Sequence, residues 1–333
     1  MIKPDQKMEP IAFIDTEIDA KSHKIMDIGG IRSDGNVFHK TSAADFVQFI
    51  KGSKYIAGHN IFNHDIKYIA KELMEAGINE VDVIDTLYLS PLLFPTEPYH
   101  ALLKDDKLQS DDLNNPLNDS IKARDLFYDE IEAFRQTDKI LKQIYYLLLH
   151  NRKEFSAFFR FTGYYCYEDH IAGLIHQKFN GDICRQARLS ELILSHPVEL
   201  AYCLSLINAN NRYSITPPWV LKNYPKTEWI MFILRSNPCL TGCPYCLKAL
   251  DPHEGLKTFF GFTAYRKFGD EPLQEKAVEA AINNKSILAV FPTGGGKSIT
   301  FQVPALMAGR NSKGLTVVIS PLQSLMKDQV DNP

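Results

Sequence analysis

Ser286–Ala308 reads "SILAVFPTGGGKSITFQVPALMA", and this stretch decides the fold class. An apolar run is followed by three successive glycines, Gly294, Gly295 and Gly296. Lys297, Ser298 and a helix-like segment come next. Glycines free of Cβ let backbone N–H groups approach phosphates closely. The strict phosphate-loop pattern is G-x-x-x-x-G-K-[ST]. Phe291 occupies the place of its first glycine, while Gly296-Lys297-Ser298 match. In such a loop Lys297 reaches the β and γ phosphates and Ser298 ligates Mg²⁺, with Thr293 to Gly296 as the cradle. "SILAVF" and "LTVVIS" read as strands on either side of the helix, which predicts a β–α–β unit at the C-terminal end of an α/β chain.

Working outward, the chain of 333 residues is long enough for two or three domains. It is 45% hydrophobic and 23% charged, with net charge −3, as in soluble globular proteins. That balance does not announce a nucleic-acid binder, although a local basic groove suffices for one. "MIKPDQKMEP" has no apolar signal core, and "IYYLLL" is too short to span a bilayer. The expectation is a cytoplasmic protein with no membrane partner. Three of the six cysteines crowd into Cys239–Cys246, which suggests a metal rather than disulfides.

Three regions differ in texture. Residues 8–150 alternate strand-like and helix-like segments, 151–257 read as mostly helical, and 258–333 return to β–α–β. "IAFIDTEID" is a strand. "SDGN" between "KIMDIGGI" and "VFHKT" is a hairpin turn. Ser42 three residues before Asp45 opens a helix, "KYIAGHN" is a short strand, and a further helix closes at Gly77. One long helix is expected from about Asp119 to Leu149.

Asp15 and Glu17 stand two apart on a predicted strand, so both point to one face. Asp65 and Asp119 each sit where a helix begins. Converging carboxylates suit hard cations, and a pair of Mg²⁺ or Mn²⁺ ions can act on a phosphodiester.

"FFGFTAYRKFGDEPLQEKAVEAAI", "PTGGGKS" and "SPLQSLMKDQV" together resemble the start of a RecQ-type DNA helicase of superfamily 2. The resemblance covers residues 258–333 and implies a partial RecA-like P-loop lobe that binds ATP and Mg²⁺. It also implies that Gln274 reads the adenine edge with Arg266 nearby. No DExH box, later helicase motif or arginine finger occurs in the 333 residues. This predicts nucleotide binding without efficient hydrolysis or unwinding, as expected of the N-terminal portion of a helicase.

In order and spacing, "DTE", "HN…D" and "NDSIKARDLF" resemble the DnaQ-like 3′–5′ exonucleases of the DEDD class. That resemblance implies an RNase H-like domain over residues 8–150. Asp15, Glu17, Asp65 and Asp119 would be its metal ligands, and DNA its partner, single-stranded or at 3′ ends. A helicase joined to such a nuclease implies work in DNA repair or recombination. The family's basic residue is missing. The histidine place, five before the last aspartate, is Asn114, and the tyrosine place is Asn115. An amide cannot take a proton from water at neutral pH. "HALLKD" offers His100 with Asp105 as a rival pair, and His100 is the stand-in base. The alternative is a non-catalytic module that grips 3′ ends.

"CLTGCPYCLKALDPH" supplies Cys239, Cys243, Cys246 and His253, a ligand set for a zinc knuckle within a helical linker. An iron–sulfur cluster on the three cysteines and a metal-free packing role are the competing readings. The aromatics of "RKEFSAFFRFTGYYCYEDH" read first as the apolar face of a helical bundle. The rival reading is a platform for single-stranded nucleic acid.

Overall fold

The structure is a computed structural model and describes residues 9–102, 115–211, 214–320, 323 and 326–327. Asp105, Asn114 and much of "SPLQSLMKDQV" lie outside the described residues. The chain forms two compact units. The first comprises residues 1–180, 188–210 and 217–227, and the second comprises 181–187, 211–216 and 228–333.

The first unit is α/β, built on one mixed sheet. Its strands are β1 (Ile11–Ile18), β2 (Ile25–Arg32), β3 (Val37–Lys40), β4 (Tyr55–Gly58) and β5 (Val83–Asp85). Their order is β3-β2-β1-β4-β5. β1 and β2 pair antiparallel, as do β2 and β3, whereas β4 and β5 run parallel to β1. The hairpin at Ser33–Asn36 and the strand at Tyr55 form as the sequence predicts. Its helices begin with α1 (Ala43–Ile50), α2 (Ile66–Glu75), α3 (Thr86–Leu93) and α4 (Pro116–Gln136). Ser42 caps α1 by accepting the Asp45 amide, and Gly77, at φ 80°, follows the end of α2.

Period-two alternation along β1 divides its neighbours. Ala12 and Ile14 enter a core with Phe46 and Ile50 of α1 and Ile66, Ile69 and Leu73 of α2. Phe13 turns the other way, against Phe127 and Tyr128 of α4, with ring centres 5.6 and 5.8 Å apart. Asp15 and Glu17 share the Phe13 face.

The single helix expected from Asp119 to Leu149 is two helices, α4 and α5 (Lys139–Leu149). Thr137 is extended, and the Asp138 carboxylate caps α5 by accepting the Leu141 amide at 2.8 Å. Thr137 donates its hydroxyl to the Ala133 carbonyl at the end of α4 while Asp138 accepts an orphan amide of α5, and together they outcompete continuous helix here.

Also in this unit are α6 (Lys153–Thr162), α7 (Ile171–Lys178), α8 (Leu189–Ser195), α9 (Pro197–Ala209) and α10 (Pro218–Asn223). They join it through buried contacts, so the first unit extends beyond residue 150. Tyr202 donates to the Tyr88 carbonyl at 2.9 Å and Ser205 to the Leu92 carbonyl at 2.6 Å. Phe155, Phe158 and Phe159 are core residues, while Lys153 and Arg160 pair with Glu80 and Asp82. These phenylalanines of the aromatic run are therefore bundle interior, as their helical spacing suggests, whereas Tyr165 and Tyr167 are exposed.

The second unit contains α12 (Pro244–Ala249), α13 (Pro252–Phe260), α14 (Leu273–Ile282) and α15 (Lys297–Ser312), together with most of α11 (Lys226–Arg235). One of its apolar clusters gathers Leu256, Tyr265, Val278, Val303 and Met307. The two strands expected at "SILAVF" and "LTVVIS" do not form. Residues 285–291 and 313–320 are irregular, and Leu288 and Ile319 are 93% and 91% exposed. Parallel strands draw their hydrogen bonds from neighbours on the sheet. Among the described residues nothing supplies those neighbours.

Candidate functional site

In the first unit, the chain runs from β1 outward to β2 and β3, then returns to place β4 on the other side of β1. Strand order reverses between β1 and β4. Open α/β sheets bind ligands outside the carboxyl ends of strands at such a reversal. Asp15 and Glu17 occupy the carboxyl end of β1, and a register irregularity follows between Glu17 and Ile18.

The β1–β4 ladder stops at Phe13–Ala57. Beyond it the Thr16 N–H donates to Asp65 Oδ1 at 2.8 Å, and the Thr16 hydroxyl donates to the same oxygen at 2.7 Å. The Asp65 side chain thus takes the place of a strand partner and is itself buried. Asp119 is brought in by close packing. Gly29 lies opposite Asp15, and a Cβ at Gly29 would fall 2.1 Å from atoms of Pro116 and Leu117. Only glycine lets the first turn of α4, with Asp119, lie directly on the sheet beside Asp15. The four acids therefore come from β1, the start of α2 and the start of α4. No three of them gather ligand oxygens within 4.8 Å of one another.

Asp85 is a residue the motif reading missed. Its buried carboxylate accepts from the amides of Asn60 (2.8 Å), Phe62 (3.1 Å) and Leu87 (3.0 Å). It thereby fixes the loop that delivers Asp65. Burial pushes its acid up to about 7 against the pull of those three amides. The signal was the acid closing "VID", directly before a helix-starting threonine.

His100 does not face the acids as an accessible base. It is 5% exposed, and its Nδ1 lies 2.8 Å from Ser90 Oγ. Asn115 is occupied as well, capping α4 by accepting the Leu117 and Asn118 amides. His64 is the imidazole beside the acids, with Nδ1 3.7 Å from Asp65 Oδ1. An open pocket next to Glu17 is lined by Met26, Asp27, His39, Lys40, Thr41 and Ser42.

The histidines yield a prediction. Burial lowers His59 and His100 to about 4, whereas the neighbouring Asp65 carboxylate raises His64 above its ordinary 6.5. A depressed histidine stays neutral in the fold while the unfolded chain protonates near 6.5. Its stabilising contribution is therefore complete above that pH and lost as pH falls toward 4. Asp85 opposes this, because its raised acid loses stability as pH climbs from 3.8 to about 7. In an NMR titration from pH 8 to 5, the ring signals of His59 and His100 should stay at neutral positions. Those of His64 should move with a midpoint above 6.5.

In the second unit the glycine loop ends at Gly296, which has φ 70° and caps α15. The N-terminus of a long helix attracts anions through its free N–H groups and dipole. Gln274, which the sequence reading placed at the adenine, braces the loop. Its Nε2 donates to the carbonyls of Gly295 and Gly296, both at 3.0 Å, and its Oε1 accepts the Arg266 amide at 2.7 Å. The Arg266 guanidinium donates to the Gly294 carbonyl at 3.0 Å. Phe291 is buried, its ring 5.1 Å from that of Phe268, and forms an apolar floor where the strict motif has glycine. Lys297 is exposed and Ser298 half-buried at the start of α15.

The cysteines assemble differently from expectation. His253 lies 2.7 Å from Glu275 Oε1, so it pairs with an acid on α14. The fourth thiol beside Cys239, Cys243 and Cys246 is Cys184, and all four sulfurs lie within 4.8 Å of one another. The Cys243 and Gln186 amides donate to the sulfurs of Cys239 (3.2 Å) and Cys184 (3.4 Å). The Cys243 amide, the largest cause, with the Thr241 hydroxyl, holds the Cys239 thiol down to about 6. A lone cysteine 55 positions before Cys239 carries no spacing signal, so only the fold reveals it.

Comparison with known proteins bears on the second unit. The DEAD/DEAH box helicase family matches residues 271–332. The ATP-dependent DNA helicase RecQ of Haemophilus influenzae is 50% identical over 76 residues, 23% of this chain and 11% of that protein. The helicase hus2/rqh1 of Schizosaccharomyces pombe is 43% identical over 77 residues, 23% of this chain and 5% of its own. The human ATP-dependent DNA helicase Q4 is 49% identical over 72 residues, 21% of this chain and 6% of its own. The matches to these relatives thus span about a tenth of their length or less. No solved structure matches the chain. Among the described residues, no helix is long and apolar enough to cross a membrane. The braced glycine loop thus lies in a segment similar to a portion of the RecQ-type, superfamily 2, ATP-dependent DNA helicases.

Proposed function

We propose that the chain joins a metal-dependent 3′–5′ exonuclease of RNase H-like fold, in the first unit, to a RecQ-type helicase segment in the second. Its substrate is DNA, taken at single-stranded 3′ ends, and its setting is repair or recombination. What carries the nuclease reading is the placement of Asp15 and Glu17 at the carboxyl end of β1, where the β1–β4 ladder opens. An all-carboxylate donor set fits Mg²⁺ or Mn²⁺, and Asp15, Glu17, Asp65 and Asp119 would hold the ions. Two such ions, when bound, stabilise the attacking and leaving oxygens of a phosphodiester. The chain's own part is to position the donors. Gly29 admits α4 against the sheet, Asp85 fixes the Asn60–Phe62 loop, and Thr16 orients Asp65.

The helicase reading rests on the braced Gly294–Ser298 loop, a site for ATP with Mg²⁺. The loop carries the phosphate cradle, with Lys297 for the phosphates and Ser298 for Mg²⁺. Failure of the chain to bind a fluorescent ATP analogue would refute that point.

A second reading is favoured by one observation: Asn115 is spent on a helix cap and His100 is buried away from solvent. A site in which neither Asn115 nor His100 can serve as the base is suited to gripping a 3′ end without cutting it. Labelled single-stranded DNA incubated with Ca²⁺ and with Mg²⁺ separates the two. Binding in both with cleavage in Mg²⁺ alone supports the nuclease, and binding without cleavage supports the gripping module.

A further inference from the structure

We propose that Cys184, Cys239, Cys243 and Cys246 form a closed tetrathiolate site for one Zn²⁺ ion. The ion fastens the Gly181–Ala187 segment to the turn and helix at Cys239–Ala249, inside the second unit. The proposal stands independently of the nuclease and helicase readings.

Four of the six cysteines converge from two distant stretches of chain, and all are unpaired thiols. Tetrahedral zinc at 2.3 Å from each sulfur places the sulfurs about 3.8 Å apart. The observed arrangement, with every pair inside 4.8 Å, needs only a small contraction to reach it. A four-iron cluster sets its iron atoms between the sulfurs and spreads the thiolates wider than a single ion does. Close approach therefore favours one ion.

Buried cysteines often pack simply as small apolar side chains. Packing alone does not explain amides aimed at sulfur. The Cys243 amide donates to Cys239 and the Gln186 amide to Cys184. Donors so placed orient metal-bound thiolates and offset their negative charge. Cys184, Cys243 and Cys246 are buried with Tyr245, and Ala187, Ala249 and Leu250 pack around them. Cys239 is half-buried at the edge of this shell, and four thiolates fill all four positions of a tetrahedral ion, as in structural rather than catalytic zinc sites. The Arg235 guanidinium lies over the Tyr245 ring at 5.6 Å and adds positive charge at the edge of the shell.

The fold gives the ion a reason. Residues 181–187 belong to the second unit, but the chain on either side of them belongs to the first. The Cys184 amide donates to the Leu234 carbonyl at 2.8 Å, a backbone tie between this short piece and α11. One apolar cluster of the unit, around Val303 and Met307, is small. Small cores are commonly completed by a structural metal whose binding energy becomes folding energy.

Elemental analysis of the purified full chain should find one zinc per chain, no iron and no inorganic sulfide. Cys184→Ser should lose most of its zinc, while His253→Ala keeps all of it. Should Cys184→Ser fail to fold, the cobalt-substituted wild-type chain still decides. Its absorption spectrum should be that of four thiolates rather than three thiolates and an imidazole. After zinc chelation, hydrogen exchange at residues 181–187 should rise by at least about tenfold. Iron with sulfide, a metal-free protein after purification with zinc, or zinc retained by Cys184→Ser but lost by His253→Ala would overturn the site. Unchanged exchange at 181–187 would overturn its role as a fastener.

Discussion

Asp15→Ala is expected to lower Mg²⁺-dependent release of 3′ nucleotides from single-stranded DNA by on the order of 10³-fold or more. Asp15 lies on the β1 face that meets α4, opposite the glycine that admits that helix. It is the acid shared between the strand and the Asp119 turn, so its loss removes a donor that no neighbour replaces. The change should leave the fold intact, because Asp15 is half-buried at a strand end rather than in the core. Circular dichroism should therefore be unaltered. Asp85→Asn makes a useful contrast. Asp85 acts through the Asn60–Phe62 loop, so its loss should cost about 10–100-fold, the range typical of groups that orient ligands. Full activity in Asp15→Ala would sink the nuclease reading. Equal losses in both variants would mean that Asp85 does more than position the loop.

Gly296→Ala should weaken ATP binding by at least about tenfold, measured with a fluorescent nucleotide. Gly296 sits at φ 70°, and an added Cβ would fall 2.5 Å from Gln274 Nε2. That nitrogen is held by two loop carbonyls, and the same amide's oxygen takes the Arg266 amide, so it cannot simply swing away. The strain and the clash both open the brace. Lys297→Ala tests the other half of the site. It removes the charge that meets the phosphates and should match or exceed the Gly296→Ala loss. If both variants bind ATP as the unaltered chain does, the loop is not a nucleotide site.

The parts of both sites set by local pattern were legible in the sequence. Asp15 and Glu17 were read from period-two spacing, the hairpin from "SDGN", and the phosphate loop from three glycines before Lys297-Ser298. Features set by distant contacts were not. Cys184 joins its partners only because the chain returns to them, and His253 at plausible ligand spacing instead meets Glu275. Gln274 was linked to nucleotide recognition, but its grip on the loop carbonyls is a tertiary fact. The α4–α5 break was local, yet hidden. The Thr137-Asp138 cap competes with strong helix-forming residues on both sides, and periodicity alone runs straight through it. The missing strands at 285–291 and 313–320 show the opposite limit, since β propensity without a partner gives no sheet.

Those two bare stretches have a practical consequence for handling the protein. Ile287, Leu288 and Val290, and then Leu315, Val317, Val318 and Ile319, are β-prone side chains open to solvent. They lie on backbone with no strand pairing. Segments of that kind recruit one another between molecules. Light scattering of the isolated chain should therefore rise with concentration and fall when Val317 and Ile319 are replaced by lysine.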